Sequence, residues 1–276
     1  MDFGNFAYAL ITGASQGLGK ALAEECAGRG IDLMLVALPG TGLPEVARLL
    51  GRTHGVRAEW FEMDLTEGDG VARLLSFMET REVEVSILIN NAGTGYNSRF
   101  DASSLEQNEA TIRLNVLALV QLTHSLLPAL AQRERSYILN VASLGAYFPM
   151  PYMPVYSPTK SFVLNFSLAL REEMAGSSVR VSVLCPNGIR TNRYCRELID
   201  KQGLAGRLTC QYPDEVARAA LAGLAANRPV IVPGVMNRFI RAVGSFVPRS
   251  LVMRVVSNRW GARAKEVERR PVGAGV

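Results

Sequence analysis

Apolar residues in this chain gather into short runs at regular intervals: YALIT, LMLVA, SILIN, YILNV and VSVLC. Runs that are apolar nearly throughout are what a strand covered on both faces requires. They set strand candidates at 7–12, 32–37, 56–63, 86–90, 136–141, 179–184 and 230–232. Between them the apolar period lengthens to that of a helix, at 19–28, 44–50, 66–80, 105–132, 155–175 and 213–226. Strand and helix alternate along the whole body, which predicts parallel β-α-β units: an α/β protein with a doubly wound, seven-stranded parallel sheet and helices on both faces. No repeat or linker interrupts the alternation. A single domain is expected over 1–234, followed by an extension over 235–276.

Composition narrows this reading. With 276 residues, 48% hydrophobic and 20% charged, the chain is ordinary for a globular protein. No uninterrupted apolar run reaches the 18 residues that would argue for a membrane span. No basic stretch precedes Lys20 to suggest a secretory signal. Four scattered cysteines (Cys26, Cys185, Cys195, Cys210) show no metal or disulfide spacing, so reduced thiols, no metal and a cytoplasmic location are expected.

Charge is unevenly placed. Residues 235–276 hold nine Lys/Arg against two Glu, a net of +7, interleaved with Phe239, Ile240, Val243, Phe246, Leu251, Val255 and Trp260. A basic amphipathic segment of this kind suits packing on the body or on a partner subunit, or contact with an anionic membrane surface. Nucleic acid is not expected, because no recognition motif accompanies the charge. The last residues, RRPVGAGV, read as disordered.

Gly13-Ala14-Ser15-Gln16-Gly17 fits two patterns. One is the G-x-S-x-G elbow of a serine hydrolase, which needs an acid and a histidine downstream. The chain has only His54 and His124, one in a Gly/Arg-rich connection and one inside an apolar helix, and both read as structural. The other is a glycine-rich turn between a first strand and a helix, whose free N–H groups suit a pyrophosphate. There Gly13 allows the turn, Gly17 the approach of a phosphate and Gly19 close helix packing.

TGASQGLG (12–19), NNAG (90–93), Asn115, Ser143 and Tyr156-x-x-x-Lys160 follow in this order. Together they closely resemble the short-chain dehydrogenase/reductase family across roughly residues 7–234. INNAGTGYNSRF, the long segment around Tyr156 and the basic tail are similar to a bacterial subgroup of poorly characterised oxidoreductases within it. The resemblance implies a Rossmann-like fold, a homodimer or homotetramer, and an NAD(P)-dependent carbonyl reductase or secondary-alcohol dehydrogenase. It implies that Asn115, Ser143, Tyr156 and Lys160 are catalytic. Tyr156 would exchange the proton, Lys160 would lower its pKa and hold the nicotinamide ribose, Ser143 would bind the substrate oxygen, and Asn115 would tether a relay water. Tyr156 and Lys160, four apart, share one helix face. An ammonium beside a phenol, together with an oxidised nicotinamide, favours phenolate.

For the cofactor the resemblance implies contacts from Gly13, Ser15, Gln16, Gly17, Leu18 and Gly19, from Asp64 and Leu65, from Asn91, Ala92 and Gly93, and from Ile189 and Thr191, besides Tyr156 and Lys160. At 186–191 the chain reads P-N-G-I-R-T where the family has P-G-x-x-x-T. Asparagine tolerates left-handed backbone angles better than most residues, so the turn is expected to survive with Asn187 in it. The end of the second strand carries Ala37 and Leu38 instead of the acid that binds a ribose diol, which tilts the expected cofactor to NADP over NAD. Leu144, Ala146, Tyr147, Phe148, Met150, Tyr152 and Met153, with a lid over 192–212 (Tyr194, Leu198, Ile199, Leu204), predict a hydrophobic carbonyl or alcohol substrate. A catalytically idle nucleotide sensor, or a membrane-surface scaffold, on the same fold is the alternative; an intact Ser-Tyr-Lys set argues against the sensor.

Overall fold

The computed structural model describes residues 8–190 and 209–258, apart from 245, 246, 249 and 255. Seven parallel strands, β1 Tyr8–Thr12, β2 Asp32–Ala37, β3 Ala58–Glu62, β4 Val85–Asn90, β5 Ser136–Val141, β6 Val179–Leu184 and β7 Val230–Ile231, form one sheet in the order β3-β2-β1-β4-β5-β6-β7. Helices α1 Gly17–Ala27, α2 Leu43–His54, α3 Gly70–Thr80, α4 Leu105–Ile112, α5 Leu119–Ala131, α6 Tyr156–Glu173, α7 Pro213–Ala225 and α8 Val235–Gly244 surround it.

The apolar strands have the reason expected of them. In β1, Ala9 and Ile11 enter a core shared with α1, α2 and α7 on one face. Tyr8 and Leu10 enter a second core with α3 and α5 on the other. A central strand such as β1 therefore needs apolar side chains on both sides of its pleat, whereas the edge strand β3 is only half-buried.

Strand order reverses between β1 and β4, the place where doubly wound sheets open a crevice for ligands.

Several boundaries move for local reasons. α2 runs four residues past its last apolar repeat, to His54, and closes on Gly55 at φ 69°; glycine accepts that left-handed angle without a Cβ clash. α3 starts at Gly70 rather than 66, because the Asp64 carboxylate accepts from the Thr66 N–H at 2.8 Å and holds the chain in a turn. The long helix at 105–131 is not uniform: residues Arg113–Ala118 form a π-helical turn between α4 and α5. By length and composition this helix could cross a membrane. Here Leu119, Leu122, Leu126 and Leu130 are buried in the body.

Beyond β7, α8 rests on the short 3-10 segment Leu144–Tyr147. Ile240 packs against the core that holds Leu144 and Ala146, and Arg241 lies over the Tyr147 ring; Asn237 is 1% exposed, while Val235 and Phe239 are 75% and 62% exposed.

Candidate active site

The ends of β1 and β4 are tied together by Thr12. Its hydroxyl accepts from the Asn91 and Ala92 N–H groups at 3.0 and 2.9 Å, and Asn91 Nδ2 donates back to the Thr12 carbonyl at 2.8 Å. Above this clasp the glycine turn runs through Gly13 at φ 67° and Gly17 at φ 56°, angles that a side chain strains. A Cβ on Gly19 would overlap the Gly13 carbonyl oxygen and lie 2.6 Å from Asn91 Nδ2. Glycines thus sit where the turn needs them, and helix α1 begins at Gly17 with its N-terminal N–H groups at the sheet's edge.

Ser15 lies in this turn, half-buried. His124 is exposed on α5, His54 closes α2, and neither is hydrogen-bonded to Ser15 among the described residues. The turn is built for binding, and no hydrolase triad forms around it.

The second half of the site lies at the ends of β4 and β5. Ser143 follows β5 and caps the 3-10 segment, its hydroxyl accepting from the Gly145 N–H at 3.1 Å. Tyr156 opens α6, with a hydrogen bond to Ser143, and Lys160 stands one turn along with its ammonium donating to the Val141 carbonyl at 2.9 Å. The Lys160 nitrogen is 6.0 Å from the centre of the Tyr156 ring.

Asn115 sits in the π-helical turn, 1% exposed. Its amide is fully engaged: Oδ1 accepts from the Thr94 N–H, and Nδ2 donates to the Thr94 carbonyl and the Thr159 hydroxyl, each at 2.9 Å. Asn115 therefore joins the loop after β4 to helix α6. A π-turn at such a position is a common mark of a functional site.

Electrostatics differ from the expected pattern. Burial raises the Tyr156 pKa above the usual phenol value, and the Ser143 hydrogen bond only partly opposes it. Burial also lowers Lys160, to about 8. Without a nucleotide the Tyr156 pKa thus stays raised, while the Lys160 ammonium donates to Val141 and lies 6.0 Å from the ring centre.

Gly93 provides a second test of fit for a nucleotide: a Cβ there would stand 3.0 Å from the Lys160 nitrogen and 3.1 Å from Asn115 Oδ1. Open backbone at Gly13, Gly17 and Gly93, lying between an N-terminal helix end and a lysine, fits a dinucleotide.

Other expectations are redistributed. Asp64 uses one carboxylate oxygen to cap its own turn, and Leu65 is buried behind it. Asn187 is not left-handed; among described non-glycine residues only Glu82, Tyr152 and Asn227 have positive φ. Asn187 serves instead through its side chain, donating to Asn237 Oδ1 of α8 at 3.1 Å. Ile189 packs against the first core and bridges to Gln211.

Of the expected pocket walls, Leu144 and Ala146 are core residues, because their 3-10 segment packs beneath α6. The cleft beside Tyr156 is lined largely by polar groups: Tyr96, Ser98, Ser103, Asn108 and Thr111. Thr191 and the lid residues Tyr194, Leu198, Ile199 and Leu204 lie outside the described residues, as do Phe246, Val255, Trp260 and the terminal RRPVGAGV.

Thr12 is read from the sequence only as part of the glycine motif, without its clasp; Thr94, Gly95 and Thr159 escaped the sequence reading. Nothing in the sequence separates them from ordinary turn and helix residues. A buried polar ladder also went unnoticed: Asn90 and Asn140, paired across β4 and β5, are joined at 2.8 Å, and Asn140 continues to Ser167 at 2.9 Å. Tyr152 stands out for its backbone, φ 68°, in the loop leading to Tyr156, where its carbonyl accepts from the Ser98 N–H. A bulky residue held there is a local strain of the kind found at functional sites.

A family model described as short chain dehydrogenase matches residues 7–199. The chain belongs to the short-chain dehydrogenases. Among curated members it is 28% identical over 259 residues to a very-long-chain 3-oxoacyl-CoA reductase of Anas platyrhynchos, covering 91% of this chain and 78% of that protein. It is 33% identical over 187 residues to the human 17-beta-hydroxysteroid dehydrogenase type 3, covering 67% of this chain but only 59% of that longer relative. Among solved structures, a short-chain dehydrogenase from Sphingobium yanoikuyae in complex with NADPH matches 98% of both chains at 30% identity with TM-score 0.73. The bulky-bulky ketone specific alcohol dehydrogenase from Comamonas testosteroni matches 99% of this chain and 98% of that one at 25% identity with TM-score 0.74. This short-chain dehydrogenase is thus an oxidoreductase acting on CH–OH groups.

Proposed function

We propose that this short-chain dehydrogenase interconverts a hydrophobic ketone and its secondary alcohol with a nicotinamide dinucleotide. The observation that carries the reading is the meeting of Tyr156, Ser143 and Lys160 at the ends of β4 and β5. Ser143 and Tyr156 hold the substrate oxygen between their hydroxyls. Tyr156 passes a proton to that oxygen in reduction and takes it back in oxidation. Lys160 supplies a buried positive charge beside the developing phenolate and a donor for the nicotinamide ribose. Asn115 fixes the Thr94–Thr159 side of the cleft. Gly13 to Gly19, Asn91 to Gly93 and Ile189 line the nucleotide's path, with Asp64 and Leu65 at its adenine end. The nucleotide, when bound, gives or accepts the hydride.

Long-chain acyl and steroid ketones are the favoured class, in line with the names of the relatives. A panel of acyl, steroid and bulky aromatic ketones with NADH and NADPH, followed at the absorbance of the reduced ring, tests the reading. Turnover that persists undiminished in Tyr156→Phe would sink it.

The body over 1–234 and the extension from 235 are proposed as separate functional parts, and the assembly as a homodimer or homotetramer. The outward apolar stripe of α8 favours a second role for the extension. Val235, Met236, Phe239 and Val243 face out, with Arg238 exposed beside them. That arrangement suits shallow contact with an anionic membrane. Sedimentation with phosphatidylglycerol vesicles, lost in Phe239→Asp and absent with phosphatidylcholine, is the expected result.

A further inference from the structure

We propose that Glu62, reaching over from β3 to the end of β2, selects a nicotinamide dinucleotide that carries no 2′-phosphate on its adenosine ribose. The inference rests on the dehydrogenase reading above and names the cofactor for that same site.

In this fold the acid that binds the adenosine ribose normally follows the glycine turn by about 20 residues, at the end of β2. Ala37 stands there, and the sequence alone reads the corner as lacking an acid. The register of the sheet restores one. Ala37 and Glu62 are paired across β2 and β3. Residues paired in a parallel ladder point to the same face, here the face of α1 and α2, since Ala37 belongs to that core. Because Ala37 ends in a methyl group, the longer Glu62 side chain can cross above it. The Glu62 carboxylate arrives at the loop after β2 and accepts from the Gly40 N–H at 3.0 Å.

That loop adjoins the nucleotide turn directly. The Ala14 N–H donates to the Val36 carbonyl at 3.1 Å, so the glycine turn and the end of β2 are hydrogen-bonded neighbours. A carboxylate with one oxygen on Gly40 keeps acceptor capacity for a ribose hydroxyl. The same negative charge repels a phosphate at that hydroxyl. Among the described residues no unpaired cation stands at the corner: Leu38 follows β2, 52% exposed, and Arg48 of α2 is paired with Glu45 at 3.4 Å. The tilt toward NADP drawn from the missing acid is therefore reversed by an acid supplied from the next strand.

Titration of the purified protein with NADH and NADPH, read by the fluorescence of the bound reduced ring, measures the preference without turnover. The parent should bind NADH at least about tenfold more tightly than NADPH, the worth of one charge-assisted contact. Glu62→Gln keeps an acceptor for Gly40 and removes the charge; it should close most of that gap, chiefly by tightening NADPH. Glu62→Ala should close it as well while weakening NADH, and melting curves of both variants report folding. Tighter binding of NADPH by the parent, or an unchanged ratio in both variants, overturns the assignment to Glu62. Failure of the folded parent to bind either nucleotide overturns the dehydrogenase reading, and this inference with it.

Discussion

The Tyr156 ring fills the space that a side chain on Gly95 would need: a Cβ there would overlap the ring's edge and stand 2.7 Å from the tyrosine Cγ and 3.0 Å from its Cβ. The loop after β4 thus acts as a wall that sets where the phenol lies. Gly95→Ala should push the ring aside and cut turnover by about 10²-fold, the scale of a displacement near 1 Å. Nucleotide affinity should change far less, since Gly13, Gly17 and Gly93 are untouched. Steady-state kinetics beside a binding titration check it, and an unchanged kcat would refute the wall.

Tyr156→Phe keeps the ring and removes the proton. We expect turnover to fall by about 10²–10⁴-fold, with nucleotide binding and melting temperature near those of the parent. Single-turnover absorbance with excess protein separates loss of chemistry from slow product release.

Lys160 carries a pH signature. Its pKa in the folded protein is about 8, against an ordinary value of 10.5. Between these values the unfolded chain binds more protons than the folded one, so this group makes stability rise with pH from about 8 to 10.5 and adds no slope below 8. Tyr156, raised above 10, acts in the opposite sense only at higher pH. Lys160→Met should therefore be more stable than the parent at pH 7, by up to roughly 3 kcal/mol before the lost hydrogen bond is counted. Its advantage should shrink between pH 8 and 10. Urea titrations at several pH values read the difference; a constant gap would mean that the buried ammonium carries no penalty.

Asn237 anchors the extension. Its amide nitrogen donates to the Thr209 and Pro233 carbonyls at 3.0 Å each, and its oxygen accepts from Asn187. Asn237→Ala removes all of these buried bonds and should cost about 1–3 kcal/mol. Asn187→Ala should cost less, because Asn237 keeps both carbonyls. Limited proteolysis should cut the first variant fastest near α8, and equal resistance in all three proteins would contradict the anchoring.

Much of the fold was legible because its cause is local. β2, β5 and β6 fall where their apolar runs begin and end, since each run is long enough only for a strand and must be apolar on both faces. Helix ends were less legible where a side chain or a left-handed glycine set them, as Asp64 and Gly55 do. The order Ser143, Tyr156, Lys160 pointed to one chemistry, and the chain's similarity to known short-chain dehydrogenases agrees with it. The charge state of that set was not legible: it depends on how deeply the packing of α6 against β5 buries Lys160 and Tyr156. Asn187 shows the same limit, chosen for a partner fifty residues away rather than for its own backbone angle.

Periodicity and glycine spacing, properties of neighbouring residues, determined by themselves that this chain would build a parallel sheet with a binding turn after its first strand. Only the tertiary structure decided which side chains meet across strands. The register of β2 with β3 brings Glu62 to a corner that Ala37 leaves empty, and the packing of α6 against the loop after β4 makes Gly95 a wall. Such meetings are fixed by distances through space, to which a one-dimensional pattern carries no signal.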